Sequence, residues 1–180
     1  MPVLYLFGTA APPVLDLPDV VARAQADGWT VCVGLTTTAA DWLADKVPEL
    51  EELTGHPVRS ALRRPDETEV WPEADAALVA PATLNTINTC ALGLTPHFVA
   101  AYVVEGMGKR WPITLMPCVN SAYATHPRFD ASLSALRSSG VNVLYGEGGF
   151  VPNPPGTSDP SDYPWQLALD AAREDAAASW

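Results

Sequence analysis

Apolar residues gather into short unbroken blocks set between turn residues and amphipathic stretches. Residues 3–7 form the first block, cut off by Gly8, and such a run reads as a buried strand. Asp16 or Asp19 can cap a following helix that carries Val20, Val21, Ala24 and Ala26 and stops at Gly28. Residues 30–35 are a second apolar strand, ending in Thr36, Thr37 and Thr38; residues 39–43 begin another helix. Strand–helix–strand–helix from the first residue predicts a parallel sheet with helices on both faces.

Residues 50–73 are charged and broken by prolines, with a short strand predicted near Val58 and another element near Val70 and Trp71. Residues 76–80 predict a central strand that runs into Pro81 and a helix over 85–92. Residues 113–116 and 141–144 predict two more strands, separated by a helix over 129–138 that Gly140 stops. The Gly- and Pro-rich stretch 146–160 is too long for a plain connection. Residues 162–178 predict a closing helix, with Asp162 as its cap and Trp165, Leu167, Leu169 and Ala172 facing the core.

Neither a repeat nor a linker interrupts the pattern. The expected fold is α/β: a doubly wound, Rossmann-like parallel sheet in three layers, one domain over residues 1–180. Ligands of such sheets sit at the carboxyl ends of the strands. The segments of interest are therefore 8–13, 36–38, 81–86, 116–126 and 146–156.

Charge narrows the partners. The chain of 180 residues has a net charge of −11, with ten Lys and Arg in all. That balance argues against nucleic acid and against an anionic membrane surface, both of which need clustered cations. An anionic ligand must instead rest on backbone N–H groups and hydroxyls. The amino-terminal segment lacks the pattern of a signal peptide, and no apolar run is long enough to span a bilayer. Cys32, Cys90 and Cys118 are scattered, with no spacing of a zinc site or a disulfide framework, so no metal is expected and a reducing cytoplasm is the simplest setting.

Three segments carry candidate chemistry. Gly8, Thr9 and Ala10, with Ala11, make a small-residue turn after the first strand, suited to close approach of a phosphate. It is not a dinucleotide fingerprint. Thr36 and Thr38 offer hydroxyls that can bond a phosphate or cap the next helix. Pro81, Ala82, Thr83, Leu84, Asn85 and Thr86 follow the central strand.

This last run resembles the PASANT motif of the homo-oligomeric flavin-containing cysteine decarboxylases. That family includes phosphopantothenoylcysteine decarboxylases and the decarboxylases of lantibiotic precursor peptides. Pro81, Ala82, Asn85 and Thr86 match the motif. Leu35, Thr36, Ala39 and Trp42 are similar to the family's LT-x-x-A-x-x-F stretch, and Pro117 and Asn120 to its P-x-M-N-x-x-M-W substrate motif. The resemblance implies FMN as cofactor, a thiol-carboxylate substrate (a peptide C-terminus or a small metabolite) and a trimer-based homo-oligomer. It implies further that Asn120 positions the substrate carboxylate and that residues 146–160 form a substrate clamp.

The sequence also departs from the family. The active-site His upstream of the motif is absent, and Glu67 stands at or near its place. His126 and His97 are the other candidate acids or bases. No Cys follows Cys118, where phosphopantothenoylcysteine decarboxylases carry one. Besides oxidative decarboxylation, the sequence leaves open an FMN binder without that activity, such as a redox sensor or partner subunit. A flavin prenyltransferase is the third reading; Arg59, Arg63, Arg64, Lys109 and Arg110 are available for a prenyl phosphate, but no motif holds them.

Overall fold

Alternate residues of a strand point to opposite faces of a sheet, so a strand buried on both sides feeds two cores. In the computed structural model, which describes residues 1–178, β1 (Val3–Gly8) sends Leu4 and Leu6 into one core and Tyr5 and Phe7 into another. The sheet has five strands, all parallel, in the order β2-β1-β3-β4-β5. The others are β2 (Thr30–Leu35), β3 (Ala76–Ala82), β4 (Ile113–Pro117) and the short β5 (Asn142–Val143). All seven residues of β3 are buried, as an unbroken apolar block at the sheet centre requires.

The helices are α1 (Leu17–Ala26), α2 (Thr37–Trp42), α3 (Val47–Thr54), α4 (Leu84–Ala91), α5 (Phe98–Lys109), α6 (Ser121–Ala124), α7 (Pro127–Ser138) and α8 (Trp165–Ala177). Val20 and Val21 of α1, Leu50 of α3, and Trp165 and Leu169 of α8 cover one face. Ile87 of α4, Phe98 and Val103 of α5, and Phe129 and Leu133 of α7 cover the other. This is the expected doubly wound, three-layer architecture. Its strand order changes direction between β1 and β3, so their carboxyl ends diverge into a crevice.

Helix α8 is fastened at both ends of β4. At the amino end, Asp175 accepts hydrogen bonds from the Thr114 hydroxyl and from the Asn142 amide, the latter at 2.9 Å. At the carboxyl end, the Tyr163 hydroxyl donates to Met116 O at 2.7 Å.

Several elements differ from the sequence expectation. Helix α5 was not announced: its apolar run carries Gly106 and Gly108, which weaken both helix and strand signals. Gly106 is there for close packing, since a Cβ would stand 2.5 Å from Trp111 Cε3. Helix α8 starts at Trp165, and Asp162 lies in a 3-10 turn (Pro160–Asp162) rather than at the cap, because Pro164 breaks the helix before it. Leu167 is only half-buried, while Ala168 is buried instead. Asp16 occupies the cap position of α1 without a side-chain cap bond, and Asp19 lies within the first turn.

Near Val58 the chain makes an isolated parallel bridge, Arg59 against Gly34, on the edge of β2. Leu35 N–H donates to Arg59 O at 2.8 Å and Arg59 N–H to Val33 O at 3.1 Å. Val70 and Trp71 form no strand. They are held instead by Glu69, whose carboxylate takes the Arg59 guanidinium and the Tyr102 hydroxyl, each at 2.9 Å, and the N–H groups of Val70 and Trp71. The Arg59 guanidinium also lies 4.8 Å from the Phe98 ring centre and 5.4 Å from that of Trp71.

Candidate active site

A turn that must hold a ligand needs a stiff frame behind it. At the switch point that frame is Thr9, which is fully buried. Its hydroxyl donates to Pro81 O at 2.7 Å and accepts from Thr83 N–H at 2.9 Å, while its own N–H donates to Pro81 O at 3.3 Å. One side chain thus ties the turn after β1 to the turn after β3. Thr36 N–H donates to Gly8 O at 3.1 Å and adds the turn after β2. Gly8 leaves no room for a side chain: a Cβ would stand 2.9 Å from Val14 and 3.0 Å from Leu17 and Leu35.

In front of this frame lies a cleft of about 580 Å³. Ala10, Ala11, Pro12 and Pro13 line it from the turn after β1, Thr83 and Leu84 from the turn after β3, and Cys118, Val119 and Asn120 from the turn after β4. The loop 146–160 and the turn that precedes α8 roof it with Phe150, Asn153, Asp159, Asp162 and Tyr163, among others. The roof is tied down. Ser121 N–H donates to Asn153 O at 2.9 Å, and the rings of Phe150 and Tyr163 meet at 5.8 Å. Gly149 packs on the Leu144–Tyr145 backbone so closely that a Cβ would lie 2.5 Å from Tyr145 N.

Among the described residues, no Lys, Arg or His lines the cleft. Burial pushes the Cys118 thiol up to about 11, so it lines the cleft as a protonated thiol. Tyr163 is raised further, again by burial, and Asp159 is lowered by hydrogen bonds from the Ser161 hydroxyl and N–H. Three buried side-chain polar atoms lack a partner among the described residues: Thr36 Oγ1, His97 Nε2 and Trp165 Nε1. No group of three or more metal-ligating side chains occurs among those residues.

The Flavoprotein family model matches residues 3–169. The chain belongs to the flavoprotein family. One curated relative, a cysteine/cysteine sulfinic acid decarboxylase of an unknown prokaryotic organism, is 30% identical to this flavoprotein over 71 residues. That match spans 39% of this chain and only 19% of the relative. Among solved structures, the FMN-dependent cysteine decarboxylase SpaF superposes with a TM-score of 0.74 at 20% identity, covering 98% of each chain. TvaF, an FMN-dependent cysteine decarboxylase of thioviridamide biosynthesis, gives 0.73 at 23% identity, covering 98% of this chain and 99% of its own. The cypemycin decarboxylase CypD gives 0.73 at 18% identity, covering 99% and 96%. These superpositions establish the fold.

Of the residues singled out in the sequence, this flavoprotein brings Ala10, Thr83 and Asn120 to the cleft wall. Gly8, Thr9, Pro81 and Ala82 stand behind it as buried frame. Thr83 caps α4, accepting from Thr86 N–H at 3.3 Å, and Thr86 is buried beside it. Asn85 is exposed on the first turn of α4, and Thr38 is exposed on α2. Asn120 Oδ1 accepts from Tyr123 N–H at 3.0 Å and so caps α6.

The candidate acids and bases lie elsewhere. Glu67 sits in an exposed loop and accepts from Arg64 N–H at 2.9 Å. His126 is exposed and caps α7 through Nδ1, accepting from Arg128 N–H at 3.1 Å. His97 caps α5 through Nδ1, accepting from Ala100 N–H at 3.3 Å, and burial lowers its pKa. Pro12, Pro13 and Tyr123 also line the cleft, from the segments 8–13 and 116–126 expected to reach a ligand; the lining residues that lay outside the expected segments include Asp159, Asp162 and Tyr163. Only the length of the 146–160 loop hinted at the last three.

Proposed function

We propose that this flavoprotein holds FMN and uses it in the oxidative decarboxylation of a cysteine-type thiol carboxylate, either a peptide C-terminus or a small metabolite. The observation that carries the reading is the cleft itself, where the turns after β1, β3 and β4 converge beneath one roof. Its size suits a cofactor and its floor is largely apolar. The decarboxylase names of the similar structures and of the curated relative support the same choice.

The residues present fit FMN. The Thr36 hydroxyl is buried without a partner beside the β1 turn, the kind of orphan that a ligand oxygen satisfies. Gly8, Thr9, Ala10, Thr36 and Thr38 are assigned to the phosphate side. With its hydroxyl committed, Thr9 serves by fixing the turn. Pro81, Ala82, Thr83, Asn85 and Thr86 are assigned to the flavin ring and its edges. Asn85 is exposed on the single chain, which leaves it accessible to a second subunit in the trimer-based homo-oligomer proposed here. The free cysteines fit a reducing cytoplasm.

FMN held here would supply a two-electron acceptor for the substrate's CH2–SH carbon, the oxidation that would make loss of carbon dioxide possible. The protein orients and shields. The Asn120 carbonyl oxygen is occupied by its own helix cap, which leaves the amide NH2 as a donor to the substrate carboxylate. Phe150 and Tyr163 press the roof over the reacting carbon and keep water away. Glu67 and His126 are the assigned proton acceptors, and both must come to the cleft from a neighbouring subunit or by loop movement.

That distance favours a second reading, an FMN binder without decarboxylase activity. The two separate cleanly. Purified protein should be yellow, and acid should release FMN. Anaerobic incubation with cysteine-terminated peptides should bleach the flavin and release carbon dioxide. Asn120→Asp keeps the α6 cap but sets a negative charge against the substrate carboxylate. It should retain FMN and lose activity by about tenfold or more, the effect of ~1.4 kcal/mol at the transition state. A colourless protein that ignores FMN refutes both readings. A yellow protein that bleaches with no thiol acid leaves the second.

A further inference from the structure

The cleft's mouth differs chemically from its floor. Tyr123 and Val151 line it with more than half of their surface exposed. Asp159 and Asp162 line it from the roof, both exposed. Neither carboxylate forms an ion pair among the described residues. Asp159 is held in place: its Oδ1 accepts from Ser161 N–H at 2.9 Å and from the Ser161 hydroxyl at 2.7 Å. Those bonds also keep it ionised. No basic side chain answers these charges anywhere in the lining, and the chain as a whole carries −11.

A substrate whose reacting carboxylate reaches Asn120 therefore passes two uncompensated anions and two exposed apolar surfaces. We infer that Asp159 and Asp162 are specificity-determining residues, selecting substrates in which the segment leading away from the thiol carboxylate is cationic and apolar. A basic peptide ending in cysteine meets this description, and an acidic one is rejected. The inference rests on the decarboxylase reading for its substrate class, but the charge selection belongs to the mouth and can be measured separately.

The test uses three short peptides ending in cysteine that differ at one position before it: Ala, Lys or Glu. Each is followed by carbon dioxide release from the FMN-loaded protein. In parallel, fluorophore-labelled copies report equilibrium binding. Two exposed carboxylates acting on a reversed charge should favour Lys over Glu by about tenfold at low salt, since each attracts the one peptide and repels the other. The preference should shrink as salt rises, because screening acts on exposed charges. Asp159→Asn with Asp162→Asn should bring the Lys and Glu peptides together; Asn at 159 keeps the acceptor that Ser161 uses.

Equal Lys and Glu values in the unaltered protein overturn the inference, as does a preference that survives in the double variant or is indifferent to salt. If no peptide loses carbon dioxide, the decarboxylase reading falls, and the binding ratio still decides the charge selection.

Discussion

Removing one oxygen from Thr9 should loosen the whole switch point. Thr9→Val preserves shape and volume almost fully, so packing is not the variable. What is lost is the hydroxyl that donates to Pro81 O and accepts from Thr83 N–H. Pro81 O keeps a partner in Thr9 N–H at 3.3 Å. Thr83 N–H, which is part-buried, keeps no protein partner in its place, and losing the partner of such a group costs up to about 1–3 kcal/mol. The valine methyl is easier to bury than the hydroxyl, which returns part of that cost. The net expectation is a loss of about 1–2 kcal/mol, or roughly 2–8 °C in Tm for a chain of this size.

Urea unfolding followed by circular dichroism measures the loss. The midpoint should fall while the slope stays constant, because the exposed surface on unfolding does not change. Thr9→Ser retains both bonds and should lie much closer to the unaltered protein. FMN affinity should drop with Thr9→Val, since the β1 and β3 turns lose their common tie. A Val variant as stable as the original, within about 0.5 kcal/mol, refutes the bracing role.

Two further perturbations test other contacts. Burial alone would raise the Glu69 carboxyl, but hydrogen bonds from Trp71 N–H and Tyr102, with the Arg59 charge, bring it below the ordinary carboxylate value. A carboxyl lowered in the folded state contributes stability above its unfolded pKa and loses it as pH falls through the folded value. Glu69→Gln should thus lower Tm near neutral pH and show a shallower decline between about pH 5 and pH 3; parallel Tm curves for the two proteins would count against this. Gly149→Ala should disturb the roof, because its Cβ meets the Leu144–Tyr145 backbone. Overpacking of this kind costs about 1–3 kcal/mol, and limited proteolysis should cut the 146–160 loop faster; unchanged cleavage would show that the loop absorbs the methyl.

The sheet was legible because its strands are unbroken apolar blocks with sharp stops, such as Gly8 after β1. A parallel sheet buried on both faces leaves no other pattern. Helix α5 was hidden because Gly106 exists to admit the Trp111 ring, a tertiary demand that local propensity does not report. The same holds for Arg59, whose contact with the Phe98 ring and bond to the Tyr102 hydroxyl join residues far apart in sequence. In the candidate site, Ala10, Thr83 and Asn120 were readable because each follows a strand end. The roof was not, since which of its many polar and proline residues face inward depends on how the loop closes on α6. Thr9 shows a subtler limit: its position was foreseen, yet its hydroxyl serves the frame.

Helix α8 also bears on how this protein is made. Trp165 and Leu169 cover the same apolar layer as Leu4 and Leu6, which precede them by most of the chain, and as Leu78. A ribosome releases β1 through β4 well before α8 emerges, so the part of that face which α1 and α3 do not cover stays bare until α8 is made. Exposed apolar surface at that stage invites aggregation and chaperone capture. A premature stop within the 146–160 loop would leave that surface uncovered for good and remove the Tyr163 and Asp175 fastenings together. Truncated products should therefore be cleared by proteolysis or appear as inclusion bodies, instead of persisting as smaller cofactor-binding fragments.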